Sequence, residues 1–229
     1  MVQKKTPAVR GTGVREAAAQ ATRDSILKAA TKVFARYGYD GGSIEKISST
    51  AKTHDRMIYY YFGSKEGLFI AVLEGIYHRM DEAEATCAPD PQRPEEALRT
   101  VIRFKIAYYR RHPEFVTLLN TENLHKGKHV AKSEKATEYS SHAVDLIRDI
   151  LEAGAAQGLF RDDLRPRDVY LLIVSAAYFF TSNRHTLSAF LGESLESDGA
   201  VDDWERFVTD SVLRVVRAEK SDKPGKVSV

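Results

Sequence analysis

The segment 57–69, MIYYYFGSKEGLF, constrains the fold of this chain more than any other stretch. Aromatic and β-branched residues favour β-strands, so MIYYYF taken alone predicts a strand. Its surroundings predict helices, because Ser43 can cap a helix before it, Gly63 ends the run, and Ser64 can cap the next helix. No partner strand lies within hairpin reach. We therefore predict a short helix for MIYYYF, in which tertiary context overrides intrinsic propensity.

Four helices are predicted in the first third of the chain. The first begins at Thr22 and ends at Gly38, and a second follows the Gly41-Gly42 turn. A break of two or three residues near Lys52-Thr53 precedes the third helix, and the fourth begins after Ser64. In the third helix, the residues expected to face the domain core are Ile58, Tyr61 and Phe62.

Helical patterns continue to the end of the chain. After the break at 89–94 (PDPQRP), they cover about 95–111, 113–124 and 134–157, then a helix opened by Pro166, and a last one from about Asp202 to Arg217. The 169–180 part of the helix after Pro166 is apolar on all sides, which predicts burial on all sides. No strand pattern is convincing, so the sequence predicts an all-α fold of about nine helices.

These patterns divide the chain into four parts. Residues 1–21 are expected to be a flexible basic arm, and 22–66 a three-helix domain with a helix-turn-helix. Residues 67–218 are expected to form a helical body, and residues 219–229 a disordered tail.

Charge is distributed unevenly along the chain. The net charge of +2 combines about +7 for residues 1–65 with about −5 for residues 66–229. A basic N-terminal part on an acidic body indicates a polyanion-binding head, although a chance imbalance on solvated faces would look the same. The arm could reach a DNA minor groove through Arg10 or Arg15, or stay disordered.

Several function classes find little support. The single cysteine, Cys87, excludes an internal disulfide and a cysteine-based zinc site, and fits a reducing cytoplasm. The longest apolar run is too short to span a bilayer, and the N-terminus has no signal-peptide core. No phosphate-binding glycine loop or nucleophile elbow is present, so we predict no enzymatic activity and no cofactor.

The layout of the first three helices indicates DNA binding. In a helix-turn-helix the last helix enters the major groove, and helical spacing turns Tyr60 away from the core, with Tyr59 at the border. Outward phenols suit sugar-phosphate contact, and Lys65 in the first turn of the next helix suits a phosphate. The alternatives are that the tyrosines are packing aromatics and that Lys65 is a solvated lysine.

The segment SILKAATKVFARYGYDGGSIEKISSTAKTHDRMIYYYFGSKEGLFIAVLE resembles the DNA-binding domain of the TetR family of bacterial transcriptional regulators. The resemblance covers about residues 22–75, and IYYYFGSKEGL is its most diagnostic part. It implies a C-terminal ligand-binding and dimerisation domain. Carried over position by position, it implies DNA contacts at Ser43, Thr53, His54, Asp55, Arg56, Met57, Tyr59, Tyr60 and Lys65.

This chain departs from the family pattern in the turn and in the first residues of the third helix. Lys52 stands where the family has a small residue, and Asp55 where it often has a basic one. Arg56 also replaces a small residue and is suited to reading guanine, while an acid can accept a hydrogen bond from cytosine. The operator sequence therefore cannot be copied from a relative.

The body is predicted to form a homodimer. In the TetR family the last two helices pair with their twins in a four-helix bundle, and helices that are apolar on more than one side need a second surface to pack against. The alternative is packing within one chain. The candidate interface residues are Leu172, Ala176, Phe179, Phe180, Trp204, Val208, Val212 and Val215.

The family resemblance also implies a small-molecule pocket between the middle helices. Aromatic walls with a few polar groups are typical of such pockets, although most of these residues could equally be core or surface. Glu122, His125 and His129 have a spacing compatible with a metal, but Gly127 weakens the helix there, so we predict no metal site. The candidate ligand contacts are Phe104, Tyr108, Phe115, Asn120, Asn123, Tyr139 and Tyr178.

The sequence therefore predicts a cytoplasmic, DNA-binding transcriptional regulator. We expect a homodimeric repressor that a small-molecule effector releases from a palindromic operator of double-stranded DNA. The alternative is a non-specific, nucleoid-type DNA-binding protein without an inducer.

Overall fold

A computed structural model describes residues 12–133 and 135–218, without the side chains of Thr12, Val14 and residues 136–141. Apart from one isolated bridge between Phe160 and Arg217, the regular structure of this part is helical, which confirms the all-α prediction. A 3-10 helix, Val130–Lys132, lies between α6 and α7. The nine α-helices are α1 Thr12–Gly41, α2 Ile44–Ala51, α3 Asp55–Phe62, α4 Lys65–Cys87, α5 Pro94–Arg111, α6 Pro113–Leu124, α7 Ala136–Ala156, α8 Pro166–Leu191 and α9 Asp198–Val216.

The first helix is longer than predicted at both ends. It begins at Thr12 rather than Thr22, so residues 12–21 are helical and not a flexible arm; residues 1–11 lie outside the described part. The sequence EAAAQA explains this, because Glu, Ala and Gln have high helix propensity and an exposed helix shows no hydrophobic period. Gly38 (φ 70°) kinks the helix instead of ending it.

Caps set the bounds of the last two helices, and the second of them is longer than predicted. Helix α8 runs to Leu191, where Gly192 adopts a left-handed conformation as its C-cap. Helix α9 begins at Asp198, because Ser197 is its N-cap and accepts a hydrogen bond from the Ala200 N–H at 3.2 Å.

The helices form two compact units, and the first contains the helix-turn-helix. It comprises the residues up to Ile76 together with Thr117–Ser133, and its core contains Phe34, Ile47 and Ile58. This differs from the predicted domain of residues 22–66, since part of α4 and the distant segment after Thr117 belong to the same unit. Side chains such as His129 supply buried surface there that no local pattern indicated.

The second unit comprises Tyr77–Val116 and the described residues after position 134. Helix α5 packs against α7, α8 and α9, with a core that includes Leu98, Ile102 and Ile173. None of the described helices has the length and apolar character needed to span a membrane.

Candidate nucleic-acid interface

The turn between α2 and α3 fixes the helix-turn-helix. Ser43 caps α2 by accepting a hydrogen bond from the Lys46 N–H, and α2 ends at Lys52, which is left-handed (φ 53°, ψ 44°). The N–H groups of Lys52 and Thr53 donate back to the carbonyls of Ser49 and Ser48. These bonds use the last carbonyls of α2, and the chain enters α3 after three residues.

Helix α3 has one buried side and one exposed side. Ile58 is fully buried, whereas Tyr60 is 78% and Tyr59 51% exposed. Tyr61 and Phe62, predicted to face the core, are only half-buried: Tyr61 packs edge-on against Tyr60, and Phe62 lies under the guanidinium of Arg23 at 5.3 Å. In an eight-residue helix, only the side facing α1 and α2 can be covered.

The predicted groove contacts differ in exposure. His54, the N-cap of α3, and Arg56 in its first turn are exposed, whereas Thr53, Asp55 and Met57 are half-buried. Within the described residues, no carboxylate lies within ion-pair distance of Arg56. Its guanidinium donors are therefore available to an acceptor on another molecule.

In the predicted phosphate site at the start of α4, two contacts with the end of α1 fix the position of the Lys65 side chain. The Lys65 ammonium lies 3.4 Å from the Asp40 carbonyl oxygen and 4.7 Å above the Tyr39 ring. Ser64 accepts the Gly67 N–H at 2.9 Å, so this backbone donor is already used. A phosphate here would contact Lys65 and the first N–H groups of α4.

Sequence reasoning missed Lys46, which is held in the same way. Its ammonium donates to the Gly41 carbonyl at 3.0 Å and lies 4.4 Å above the ring of Tyr37. The end of α1, RYGYDG, thus provides a tyrosine ring and a carbonyl for each of two lysines at the starts of α2 and α4. The sequence does contain a signal for this role, because Lys46 lies three residues after the helix cap Ser43, near the N-terminal end of α2, where an anion would bind.

The predicted effector contacts do not form one group. Phe104 and Tyr108 line a surface pocket of about 340 Å³ in the second unit, with Cys87 and Arg111. Phe115 is buried and Tyr178 half-buried, and both contact the buried Tyr109. Asn120 and Asn123 have exposed side chains in the first unit, and the Tyr139 side chain lies outside the described residues.

The predicted dimer residues also separate into two groups. Phe180, Val208 and Val212 are buried within the chain, so they cannot form an exposed interface. The predicted Leu172, Phe179 and Val215 are exposed, while Ala176 and Trp204 are half-buried and joined by a hydrogen bond. Leu171 and Phe207 were missed, because helical periodicity did not resolve which side of these two apolar helices packs inward.

The possible metal ligands have other partners. Helix α6 ends at Leu124, so His125 and His129 do not share a helix face. His129 pairs with Glu122, and His125 lies 3.3 Å from Asp40. The described residues contain no group of three or more potential ligands that could hold a metal.

A three-residue turn, a helix with an exposed phenol and arginine side, and a lysine at the next helix start define a helix-turn-helix DNA-binding regulator. The description "Bacterial regulatory proteins, tetR family" matches residues 26–72, and "Tetracyclin repressor-like, C-terminal domain" matches residues 94–212. The chain belongs to the TetR family.

Relatives support this assignment along most of the chain. The HTH-type transcriptional repressor NicS of Pseudomonas putida is 55% identical over 91% of this chain and 98% of its own. The repressor SCO4008 of Streptomyces coelicolor is 30% identical over 69% of this chain and 77% of its own. A TetR regulator of Chloroflexus aurantiacus has the same fold, with a TM-score of 0.68 at 20% identity over 88% of this chain and 98% of its own.

Proposed function

We propose that this protein is a homodimeric transcriptional repressor that binds a palindromic operator through α3 and leaves it when a small molecule binds the second unit. The exposed side of α3, with Arg56, Tyr59 and Tyr60, is the observation that carries the DNA-binding part. The names of the repressors NicS and SCO4008 support the direction of regulation.

In this proposal Arg56 reads a base, while Lys46, Lys65 and the phenols contact the backbone. Arginine makes bidentate hydrogen bonds to guanine, whereas lysine and tyrosine contacts to phosphate carry no sequence information. Arg56→Ala should therefore lower discrimination by about 1–3 kcal/mol, and Lys65→Ala should weaken binding to all sequences.

The test is fluorescence anisotropy on DNA from upstream of the gene and on scrambled DNA of equal length, at two salt concentrations. Arg148→Ala in the second unit serves as a control, because this exposed arginine pairs with Asp145. Specific binding that survives higher salt supports the repressor. Equal, salt-sensitive binding to both DNAs favours the non-specific nucleoid-type alternative.

The effector site is proposed at the pocket lined by Phe104 and Tyr108. Its aromatic wall and its polar groups, which include Arg111 and the Cys87 thiol, suit a small molecule with an apolar body and a polar end. We expect a compound that raises the melting temperature of the wild type, but not of Phe104→Ala, to release the operator probe. A compound that releases the probe equally from Phe104→Ala would place the effector elsewhere.

A further inference from the structure

A segment distant in sequence completes the DNA-binding unit. Residues 121–133, here called the docking segment, run from the last turn of α6 through the 3-10 helix. They pack on the end of α1 and the start of α4, and belong to the same compact unit as the helix-turn-helix. Lys132 pairs with Glu66 at 2.7 Å, and the Ser133 hydroxyl donates to Glu74 at 2.7 Å.

A buried Glu–His pair holds the docking segment in shape. The Glu122 carboxylate accepts hydrogen bonds from the backbone N–H of His129 at 2.7 Å, from that of Val130 at 2.9 Å, and from His129 Nδ1 at 2.7 Å. His129 is fully buried, and its Nε2 atom has no hydrogen-bond partner among the described residues. Three donors on one carboxylate fix the position of the His129 ring.

The His129 ring in turn positions Tyr39. The two ring centroids are 4.4 Å apart, and Phe69 lies 5.0 Å from both rings. The other side of this contact reaches the DNA-binding face, since the Lys65 ammonium lies 4.7 Å above the Tyr39 ring. An unbroken set of contacts therefore connects Glu122 to Lys65.

A second contact of the docking segment reaches Asp40, the residue whose carbonyl accepts from Lys65. His125 Nε2 lies 3.3 Å from the Asp40 carboxylate, and His125 Nδ1 donates to the Thr121 carbonyl at 2.8 Å. Asp40 is the residue whose backbone oxygen accepts from Lys65 at 3.4 Å. Both residues that the Lys65 ammonium contacts, Tyr39 through its ring and Asp40 through its carbonyl, thus have side chains in contact with histidines of the docking segment.

Stability alone does not explain a Glu–His pair in this place. Removing a carboxylate from water is costly, and replacing both partners of a buried hydrogen bond by apolar groups of the same shape is often neutral or stabilising. A directional pair does provide a fixed geometry, which apolar packing supplies less sharply. Only the Tyr39 ring separates the Glu–His pair from Lys65. A fixed geometry at the pair would therefore fix the position of that lysine.

We propose that Glu122 and His129 are positioning residues for DNA binding, which act through Tyr39 to hold Lys65 where it meets a backbone phosphate. The inference rests on the proposed DNA-binding function. It assigns a role in operator affinity to two buried residues that are more than 55 positions from Lys65 in sequence.

The first test needs no DNA. A lysine side chain above an aromatic ring experiences the ring current, so the Lys65 ε-methylene NMR signal should lie upfield of its usual position. In His129→Asn, which keeps a donor for Glu122 but lacks the ring, the signal should move toward its position in Tyr39→Leu. An unchanged Lys65 signal in a folded His129→Asn protein would overturn the proposal.

The second test is a double-mutant cycle on DNA, read out as affinity against salt concentration. Lys65→Ala should lower the slope of log K against log salt by about 1. His129→Asn should weaken binding about two- to fivefold, the size of an exposed cation–π contact, and should add little in the Lys65→Ala background. Additive losses would mean that His129 acts only on overall structure and would overturn the inference.

Two further variants complete the design. His142→Asn alters an exposed histidine that lies 3.5 Å from a carboxylate in the second unit, and should leave both readouts unchanged. Tyr39→Leu, at a half-buried position, repeats the cycle if His129→Asn does not fold. If the wild type binds no DNA but the Lys65 signal moves as expected, the proposed function fails while the positioning geometry stands.

Discussion

A buried lysine in the second unit shows how single residues set the stability of this chain. The Lys105 ammonium is fully buried and lies 2.8 and 2.9 Å from the two oxygens of the Glu84 carboxylate. Both charges are hidden from solvent, so each depends on the other for compensation. The sequence did not reveal this pair, since a lysine among the apolar residues of α5 looks like any exposed lysine.

Replacing only one member of this pair should be costly. Lys105→Ala leaves the Glu84 carboxylate buried and unpaired, and we expect a loss of about 3–5 kcal/mol in the free energy of unfolding. The double variant Lys105→Met, Glu84→Leu should lose far less, because neither charge remains. Urea denaturation of both proteins tests this. Equal losses in the single and double variants would show that packing, and not charge, dominates.

Two tyrosines of the second unit predict how stability changes at alkaline pH. Burial raises the pKa of Tyr108 and of Tyr170 to about 12, from an ordinary value of 10. Between pH 10 and 12 the unfolded chain loses these protons while the folded chain keeps them, so stability falls as pH rises. The slope is about 1.4 kcal/mol per pH unit for each such tyrosine.

The matching experiment compares urea denaturation of the wild type and Tyr108→Phe across pH 9–12. The variant should show the shallower decline. Tyr60→Phe, at an exposed position, is the control and should follow the wild type. A parallel decline in wild type and Tyr108→Phe would contradict the assignment to Tyr108.

At the scale of elements, the junction between α3 and α4 sets the position of α3. Gly63 (φ 72°) ends α3, and Ser64 starts the next turn. A Cβ on Gly67 would lie 2.2 Å from the carbonyl oxygen of Phe62, so the first turn of α4 touches the last residue of α3. Only a residue without a side chain permits this approach.

Gly67→Ala should therefore displace α3 and reduce operator binding at least tenfold, because the obstructing atom belongs to the backbone and cannot rotate away. Gly199→Ala in the first turn of α9 is the matched control, since its Cβ would meet nothing within 4 Å. That change should leave DNA binding intact and stabilise the chain by up to about 1 kcal/mol. Normal operator affinity in a folded Gly67→Ala protein would refute this view of the junction.

Sequence patterns located most elements but not all of their ends. Helix-capping and helix-ending residues such as Ser43, Gly63 and the proline-rich 89–94 segment were sufficient to locate α2 to α5, because these residues act on the local backbone. The first ten residues of α1 were missed because exposed alanine-rich helix has no periodic signal. The lysine contacts with Tyr37 and Tyr39 were also missed, since they join separate helices.

At the scale of the whole molecule, helices α8 and α9 of a single chain expose large apolar side chains to solvent. Phe179 is 57% and Phe207 62% exposed, with Leu171, Leu172 and Val215 also exposed on these helices. Large apolar side chains that are exposed together on two packed helices favour association, and a two-fold partner would cover the same residues on both copies.

We predict that Phe179→Glu weakens self-association of the protein at least tenfold, because a carboxylate on this surface would lose its water on pairing. Analytical ultracentrifugation over a concentration series gives the association constant. Leu124→Glu, at a residue that is 83% exposed on α6, controls for adding a charge at an exposed apolar site. Equal association constants for the wild type and Phe179→Glu would remove this surface from the dimer proposal.

The discontinuous first unit affects the order in which the protein can form during synthesis. Its two parts, up to Ile76 and from Thr117, are separated by 40 residues of the second unit, and the His129 contact lies later still. At about 5–20 residues per second, a ribosome needs several seconds after α3 is made to reach residue 133. Until then Tyr39 and Phe69 lack their covering ring, so the nascent first unit acquires the contacts around Lys65 only after residues 77–116 of the second unit have been translated.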